Sequence, residues 1–151
     1  MTMHKQLYLD DLAPGQRFVS GEHQLDAAQI VAFATQFDPQ PFHLDEEAAR
    51  GTFFQGLAAS GWHTAAITMR LLVTSGIPLA DGIIGSGGEL SWPLPTRPGD
   101  RLHVESEVLE VIPSRSKPDR GMVQMRCETL NQNGQVVQRF SPKLVVLRKG
   151  A

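Results

Sequence analysis

The segment that decides the fold has the sequence ASGWHTAAITMRLLVT and runs from Ala59 to Thr74. Its apolar residues fall on nearly every side of a helix: Trp62, Ala65, Ala66, Ile67, Met69, Leu71, Leu72 and Val73. A helix of this kind is buried on most of its sides. Gly76 and Pro78 end it, because glycine favours helix C-termini and proline cannot continue a helix. His63 and Arg70 interrupt the apolar run, so we predict a central buried helix and not a membrane span.

The sequence after this helix has the pattern of β-strands. Apolar and polar residues alternate from Leu102 to Glu105 and from Val123 to Glu128, and a last strand-like run extends from Val136 to Leu147. Asn133-Gly134 is typical of a tight type I′ hairpin turn, and Pro142 predicts an edge strand or a bulge. Helices followed by such strands predict an α+β fold in which an antiparallel sheet wraps around the central apolar helix.

The sequence before the central helix predicts a shorter helix that leads to a proline-rich turn. Asp26 is placed to cap this helix, and its apolar face is formed by Ile30, Phe33, Ala34 and Phe37. Pro39 and Pro41 stop the helix near Asp38. The segment from Arg17 to His23 is predicted as a first strand. No repeat or linker divides the chain, so residues 1–151 are interpreted as one domain.

Composition excludes several functional classes. The chain has 151 residues, of which 41% are hydrophobic and 20% charged, which suits one globular domain with its own core. A formal net charge of -2 disfavours a nucleic-acid partner. The single cysteine, Cys127, cannot form an intramolecular disulfide, and the N-terminal sequence MTMHKQLYLDDL has no apolar export signal. We therefore expect a cytoplasmic protein with no membrane partner.

The segment DPQPFHLD, from Asp38 to Asp45, concentrates a carboxylate and an imidazole on a proline-stiffened turn. An Asp and a His that hold one water between them form an acid–base pair near neutral pH. Taken alone, the residues favour a simpler interpretation, in which Asp38 ends the helix and His43 is a buried, hydrogen-bonded histidine, because such short spacings are common by chance.

Three motifs in order resemble the MaoC-like dehydratase and (R)-specific enoyl-CoA hydratase family. DPQPFHLD is similar to that family's Asp-x-Asn-Pro-x-His-x-Asp, and Ser60-Gly61 to the pair that opens the central helix of its hot-dog fold. The segment ELSWPLPTRPGD, from Glu89 to Asp100, resembles the strand that ends in Pro-x-x-x-Gly-Asp. The likeness covers nearly the whole chain and implies a single hot-dog domain.

The resemblance implies a role for each matching residue. Asp38 and His43 correspond to the catalytic pair that activates water, and Gly61 to the glycine whose backbone N–H stabilises the thioester oxyanion. This last role fits the unpaired amides at a helix N-terminus. The predicted substrate contacts are their neighbours Gln40, Pro41, Phe42, Ser60 and Trp62. Gln40 stands where the family has Asn and Ser60 where it has His, which leaves the acyl group undefined.

Other candidates carry less weight. His43, Asp45 and Glu46 lack a second histidine at ligand spacing, so we predict no metal. The segment GIIGSGG, residues 82–88, fits no phosphate-binding fingerprint and is predicted to be flexible backbone beside the pocket. His63 is interpreted as structural or pocket-lining. Trp92 is interpreted as a core or dimer-interface residue, and a place in the wall of the acyl pocket stays open.

The implied function is the reversible hydration of an enoyl-CoA, in fatty acid metabolism, by a lyase without a cofactor. A carrier-protein thioester is the alternative substrate. Coenzyme A phosphates are possible partners of four basic residues, although surface charge is the simpler interpretation: Arg97, Arg101, Arg115 and Lys117. Two other functions stay open, a hot-dog thioesterase and a non-catalytic partner subunit of a heteromeric hydratase. The resemblance also implies a homodimer joined through edge strands, with higher assemblies possible.

Overall fold

The computed structural model describes residues 5–150, so the predicted domain's residues 1–4 and 151 lie outside the described part. This described part contains four α-helices, α1 (Ala27–Phe37), α2 (Pro41–Leu44), α3 (Glu46–Ala49) and α4 (Gly61–Leu71). The six strands are β1 (Arg17–Val19), β2 (His23–Gln24), β3 (Ile84–Ser91), β4 (Arg101–Pro113), β5 (Arg120–Leu130) and β6 (Val136–Leu147). A short 3₁₀ turn, Leu9–Asp11, precedes β1, and a π-helical turn, Leu72–Gly76, extends α4.

The strands form one antiparallel sheet in the order β1-β4-β5-β6-β3, with β2 also paired to β4. Helix α4 lies against β4 and β6. The α+β fold with a sheet around a central helix is therefore confirmed. Within residues 5–150, no helix combines the length and apolar character needed to cross a membrane.

The core lies between α4 and the concave face of the sheet. Every second residue of β5 is buried, among them Val123, Met125 and Cys127, and Leu102 and Val104 from β4 face the same side. Each fully buried aliphatic side chain of this kind contributes roughly 1.5–3 kcal/mol to folding. The alternation along β5 and β4 thus fixes which face of the sheet receives the helix.

Helix α1 begins and ends where the sequence predicts. The Asp26 carboxylate accepts a hydrogen bond of 2.8 Å from the Gln29 backbone N–H, which satisfies one of the free amides at the helix start. Asp38 follows the last helical residue with φ −155° and ψ 66°, because Pro39 disfavours helical backbone in the residue before it. Asp38 is thereby displayed at the end of α1.

Helix α4 differs from the prediction because it is buried on one side only. Its buried face carries Ile67 and Leu71 but also His63, Thr64 and Thr68. The opposite face is exposed and mostly apolar, formed by Trp62, Ala66, Met69 and, on the π-helical turn, Val73. The threonines are tolerated inside because their hydroxyls find partners there, so hydrophobicity alone did not reveal the orientation of the helix.

The predicted β5–β6 hairpin is confirmed, but the prediction of a type I′ turn is wrong. That turn needs positive φ at Asn133 and Gly134, and the structure gives positive φ to Gly134 only, at 73°. The Asn131 side-chain oxygen accepts hydrogen bonds from the backbone N–H groups of Asn133 (3.0 Å) and Gln135 (3.1 Å). Asn131 therefore organises a loop of residues 131–135, and glycine is needed only at position 134, where φ is positive.

Two predictions about the last strands are also wrong in detail. Pro142 lies in β6, an interior strand, where it pairs with Gly88 of β3. The close approach of the strands there requires glycine, because a Cβ on Gly88 would lie 2.8 Å from the Ser141 carbonyl oxygen. Within the glycine-rich segment, Ile84 onward forms β3, with a bulge between Gly85 and Gly87, and is not a flexible loop.

Candidate active site

A cavity of about 540 Å³ lies where the start of α4, helix α2 and the segment after β3 meet. Its wall is formed by Asp38, His43, Phe53, Phe54, Ala59, Gly61, Trp62, Thr64 and residues 92–96. A second cavity of about 400 Å³, near Arg17 and Pro78, holds none of the predicted site residues. The larger cavity is the candidate active site because both residues of the predicted acid–base pair face it.

Asp38 and His43 are brought together as predicted. Asp38 Oδ2 lies 3.3 Å from His43 Nε2, and both side chains are largely buried. His43 Nδ1 lies 2.6 Å from the Ala58 carbonyl oxygen. Since a carbonyl oxygen only accepts, Nδ1 carries a proton, and Nε2 is the ring nitrogen that faces Asp38. With the proton on Nδ1 alone, Nε2 and the carboxylate are two acceptors side by side, suited to hold one water that donates to both.

The carboxylate of Asp38 is held by two further side chains. Its Oδ1 accepts a hydrogen bond from the Gln40 side-chain amide at 2.5 Å, and its Oδ2 accepts one from the Ser60 hydroxyl at 2.7 Å. Burial opposes ionisation of this group, but the hydrogen bonds from Gln40 and Ser60 and the nearby His43 outweigh burial and lower the pKa of Asp38. The carboxylate is therefore charged at neutral pH.

The short helix α2 sets the position of His43. Pro41 occupies the first turn of α2, where its missing N–H costs nothing, and the helix ends at Leu44. The Phe42 carbonyl accepts a hydrogen bond of 3.0 Å from the Ala58 N–H, so α2 and the strand-like segment before α4 are joined on both sides of His43. Phe42 also packs edge-on against the imidazole at 4.6 Å. These contacts fix the ring before any ligand is present.

Gly61 opens α4 and leaves its amide free. Ser60 caps the helix, its hydroxyl accepting from the Trp62 N–H at 3.2 Å, and its carbonyl accepts from the His63 N–H at 2.9 Å. Among the hydrogen bonds of residues 5–150, none uses the Gly61 N–H. Gly61 lines the cavity at a helix N-terminus, where a developing negative charge is stabilised.

The aromatic walls were not predicted from the sequence. Phe53 and Phe54 form one side, and Phe53 is 92% exposed. Trp92 forms the opposite side, where its indole occupies the space that a Cβ on Gly61 would need, 2.6 Å away. Arg97 joins the two sides, because its guanidinium donates to the carbonyls of Phe54 (2.6 Å), Gly56 (3.0 Å) and Leu57 (3.2 Å). The proline-flanked run Trp92–Thr96 was the available sequence signal for this wall.

The remaining predicted substrate contacts divide into two groups. Trp62 lines the cavity. Gln40, Pro41, Phe42 and Ser60 lie outside its wall and support Asp38 or His43 from behind. A direct contact between these four residues and a substrate stays a prediction.

His63 does not line the cavity and packs between helices. Its ring stacks on Phe33 at 4.5 Å, it is 8% exposed, and its Nδ1 has no hydrogen-bond partner within the described part of the chain. Burial, with a smaller contribution from the charge of His23, lowers the pKa of His63. For residues 5–150, no group of three or more His, Cys, Asp or Glu side chains is arranged to hold a metal ion.

A family model described as "MaoC like domain" matches residues 11–129. The chain belongs to this family. Two curated relatives of this MaoC-like protein cover most of its length. The protein YdeM of Bacillus subtilis (strain 168), named as uncharacterized, is 34% identical over 142 residues, which is 93% of this chain and 98% of YdeM. A 3-hydroxybutyryl-CoA dehydratase of Methylorubrum extorquens is 32% identical over 112 residues, 74% of this chain and 69% of that protein.

Solved structures of similar proteins share the fold. A MaoC-like dehydratase from Rhodospirillum rubrum is 67% identical with a TM-score of 0.95, over 96% of this chain and 99% of that one. The R-hydratase PhaJ1 from Pseudomonas aeruginosa is 27% identical with a TM-score of 0.78, over 95% of this chain and 88% of that one. The MaoC-like protein is thus a hot-dog domain of the hydratase and dehydratase family.

Proposed function

We propose that this MaoC-like protein catalyses the reversible addition of water to the α,β double bond of an enoyl-CoA thioester. The observation that carries the proposal is the arrangement of Asp38 Oδ2 and His43 Nε2, 3.3 Å apart in one cavity with the free amide of Gly61. Hydration needs a held water, a proton acceptor and a donor for the thioester oxygen, and these three groups supply them.

In the hydration direction, a water held by Asp38 and His43 attacks the β-carbon of the substrate. Asp38 accepts the proton that the water loses, a role open to it because the lowered pKa leaves the group as a carboxylate at neutral pH. Negative charge moves through the α-carbon to the thioester oxygen, which accepts a hydrogen bond from the Gly61 N–H. The α-carbon then receives the proton that the water lost, either returned directly by Asp38 or passed on by His43.

The short distance within the pair lets His43 relay this proton. The proton that Asp38 gains from the water passes across the 3.3 Å from Asp38 Oδ2 to His43 Nε2, and Nε2 then gives it to the α-carbon. Asp38 ends as a carboxylate and Nε2 ends without a proton, so both groups return to their starting state. The fixed Nδ1–H bond to the Ala58 carbonyl keeps Nε2 directed at Asp38 throughout.

The substrate class and stereochemistry are inferred from relatives. The Methylorubrum relative is named as a dehydratase of 3-hydroxybutyryl-CoA and the Pseudomonas neighbour as an R-hydratase, so we propose an (R)-3-hydroxyacyl-CoA product. A carrier-protein thioester would present the same reactive atoms. We keep a cytoplasmic location as part of this proposal, supported by the buried free thiol of Cys127.

The test follows loss of enoyl absorbance from crotonyl-CoA, with free thiol measured in parallel. We expect hydration without thiol release, and a loss of about 10²-fold or more in Asp38→Asn, which cannot accept the proton. Asp45→Asn is the matched control, since Asp45 caps α3 outside the cavity. Thiol release would favour the thioesterase, and binding without turnover across a panel of enoyl thioesters would favour the non-catalytic subunit.

We also propose a homodimer joined through β3. This strand lies at the edge of the sheet, pairs with β6 alone among residues 5–150, and most of its residues are exposed in the single chain. A long edge that carries one charged residue, Glu89, invites pairing with a second copy, and a two-fold axis lets both edges pair at once. We expect sedimentation at twice the chain mass of 16.6 kDa.

A matched pair of variants tests this interface. Ile84 on β3 and Ile112 on β4 are similarly exposed, at 44% and 48%. Ile84→Lys would dissociate the dimer because it places charge in the pairing edge, and Ile112→Lys would leave the mass unchanged. A monomeric wild type would contradict the proposal.

A further inference from the structure

The indole of Trp92 lies beside Gly61, which carries the proposed oxyanion donor. Three of its ring atoms, Cε2, Cζ2 and Cδ2, lie 2.6–2.9 Å from the position of a Cβ on Gly61, which only glycine leaves vacant. Trp92 also lines the cavity and packs edge-on against Trp62 at 5.6 Å. Any acyl group whose carbonyl reaches the Gly61 N–H therefore meets this indole as a wall.

A buried chain of hydrogen bonds fixes this wall. Trp92 Nε1–H donates to Gln138 Oε1 at 2.9 Å, and the Gln138 amide donates to Thr68 Oγ1 at 2.9 Å. Thr68 and Thr129 share a hydrogen bond of 2.6 Å, and Thr68 also donates to the Thr64 carbonyl at 2.9 Å. An indole N–H only donates, so the orientation of the Gln138 amide follows, and each donor in the chain has an acceptor.

These hydrogen-bonded side chains lie in the core between α4 and the sheet, where aliphatic residues would ordinarily pack. Gln138 and Thr129 are fully buried, and Thr68 is 1% exposed. Burial of their polar groups would cost free energy without hydrogen-bond partners. The series of hydrogen bonds ends at Trp92 in the cavity wall, and it therefore restricts the rotamer of an indole whose residue is 41% exposed.

We propose that Trp92 is the residue that limits the length of the acyl group, and that Gln138 is a positioning residue that holds it. The inference rests on the proposed function only in taking an acyl thioester as the ligand. A fixed indole beside the thioester site shortens the space for the acyl chain, so short-chain thioesters are preferred. Extra methylenes that do not fit a pocket are discriminated by about 10–200-fold.

The experiment measures affinity for saturated butanoyl-CoA and octanoyl-CoA by titration calorimetry, which requires no turnover. Wild type is expected to bind butanoyl-CoA more tightly. Trp92→Ala is expected to shift the ratio toward octanoyl-CoA by about tenfold or more, with Trp92→Leu as a second variant should the first fail to fold. An equal weakening of both thioesters, or an unchanged ratio, would overturn the inference.

The positioning role has its own readout. In a Trp62→Phe background Trp92 is the remaining tryptophan, and Gln138→Met is expected to change its emission and to shift the thioester ratio in the same direction as Trp92→Ala. Thr129→Val should do the same more weakly, and Thr129→Ser should restore the wild-type values. Unchanged emission and ratio in Gln138→Met would overturn the role.

The two proposals fail differently. Absent hydration of crotonyl-CoA together with the expected binding ratios would remove the proposed function and leave the length limit standing. Hydration with no change of ratio in the Trp92 variants would remove the length limit alone. A wild type that binds neither thioester would overturn both.

Discussion

Replacement of Gly61 by proline removes the proposed oxyanion donor and keeps the helix. Proline is well tolerated at the first helical position, and Ser60, with φ −55° and ψ 139°, already has the extended backbone that a residue before proline prefers. The change must be made in Trp92→Ala, since any Cβ at Gly61 would lie 2.6–2.9 Å from the indole. Gly61→Ala in the same background is the matched control, because it adds a Cβ and retains the N–H.

The expected size of the effect follows from the number of donors. The Trp62 and His63 amides at the start of α4 already bond to Ser60, so Gly61 supplies the one free amide of this turn. Loss of one oxyanion donor costs about 2.7–4 kcal/mol of transition-state stabilisation, or about 10²–10³ in kcat. No second amide of this helix end compensates.

The assay is steady-state hydration of crotonyl-CoA, with affinity for butanoyl-CoA measured beside it. We expect kcat of the Gly61→Pro variant to fall about 10²-fold or more below that of Gly61→Ala, in the Trp92→Ala background, with a smaller change in affinity. Far-ultraviolet circular dichroism checks that α4 is intact. A kcat within about threefold of the alanine control would refute the assignment of Gly61, since a lost donor is worth far more.

Three further outcomes are expected. Burial lowers the pKa of His63 below its ordinary 6.5, so the unfolded chain binds more protons than the folded chain as the pH falls below that value. The free energy of unfolding should therefore decrease between about pH 7.5 and about pH 5, and it should decrease less in His63→Phe, as urea titrations at the two pH values would show. Ser60→Ala should cost about 1 kcal/mol of stability and also reduce kcat, whereas Asp26→Ala, which removes the cap of α1, should cost a similar amount with kcat unchanged. Gly121→Ala should lower the free energy of unfolding by about 1–3 kcal/mol, because its Cβ would lie 2.7 Å from a Leu9 methyl. Gly51→Ala, which has open space around it, should leave the stability unchanged. Equal melting temperatures of the two variants would contradict this packing argument.

The sequence predicted the elements that depend on local signals. Asp26 and Pro39 bound α1 because capping and proline geometry act within a few residues. The family resemblance then assigned Asp38 and His43, which spacing alone left as a chance pairing. In the structure both face one cavity.

Features that depend on residues far apart in the sequence could not be predicted from it. The apolar pattern of α4 predicted burial on most sides, yet Thr64 and Thr68 face the core because Thr96, Thr129 and Gln138 form hydrogen bonds with them there. The position of Pro142 in an interior strand likewise depends on Gly88 of β3, which lies far away in the sequence. Pairings of this kind are visible only once the sheet order is known.

The clamp made by Arg97 bears on how a ligand enters the site. Its three donations to the carbonyls of Phe54, Gly56 and Leu57 tie the loop that carries Phe53 and Phe54 to the segment after β3. We therefore expect the conformational entropy of that loop to be lost when the chain folds and not when a ligand arrives. We expect ligands to associate without a slow closing step, and Arg97→Lys, which cannot span three carbonyls with a planar fork, to transfer part of that ordering to the binding event.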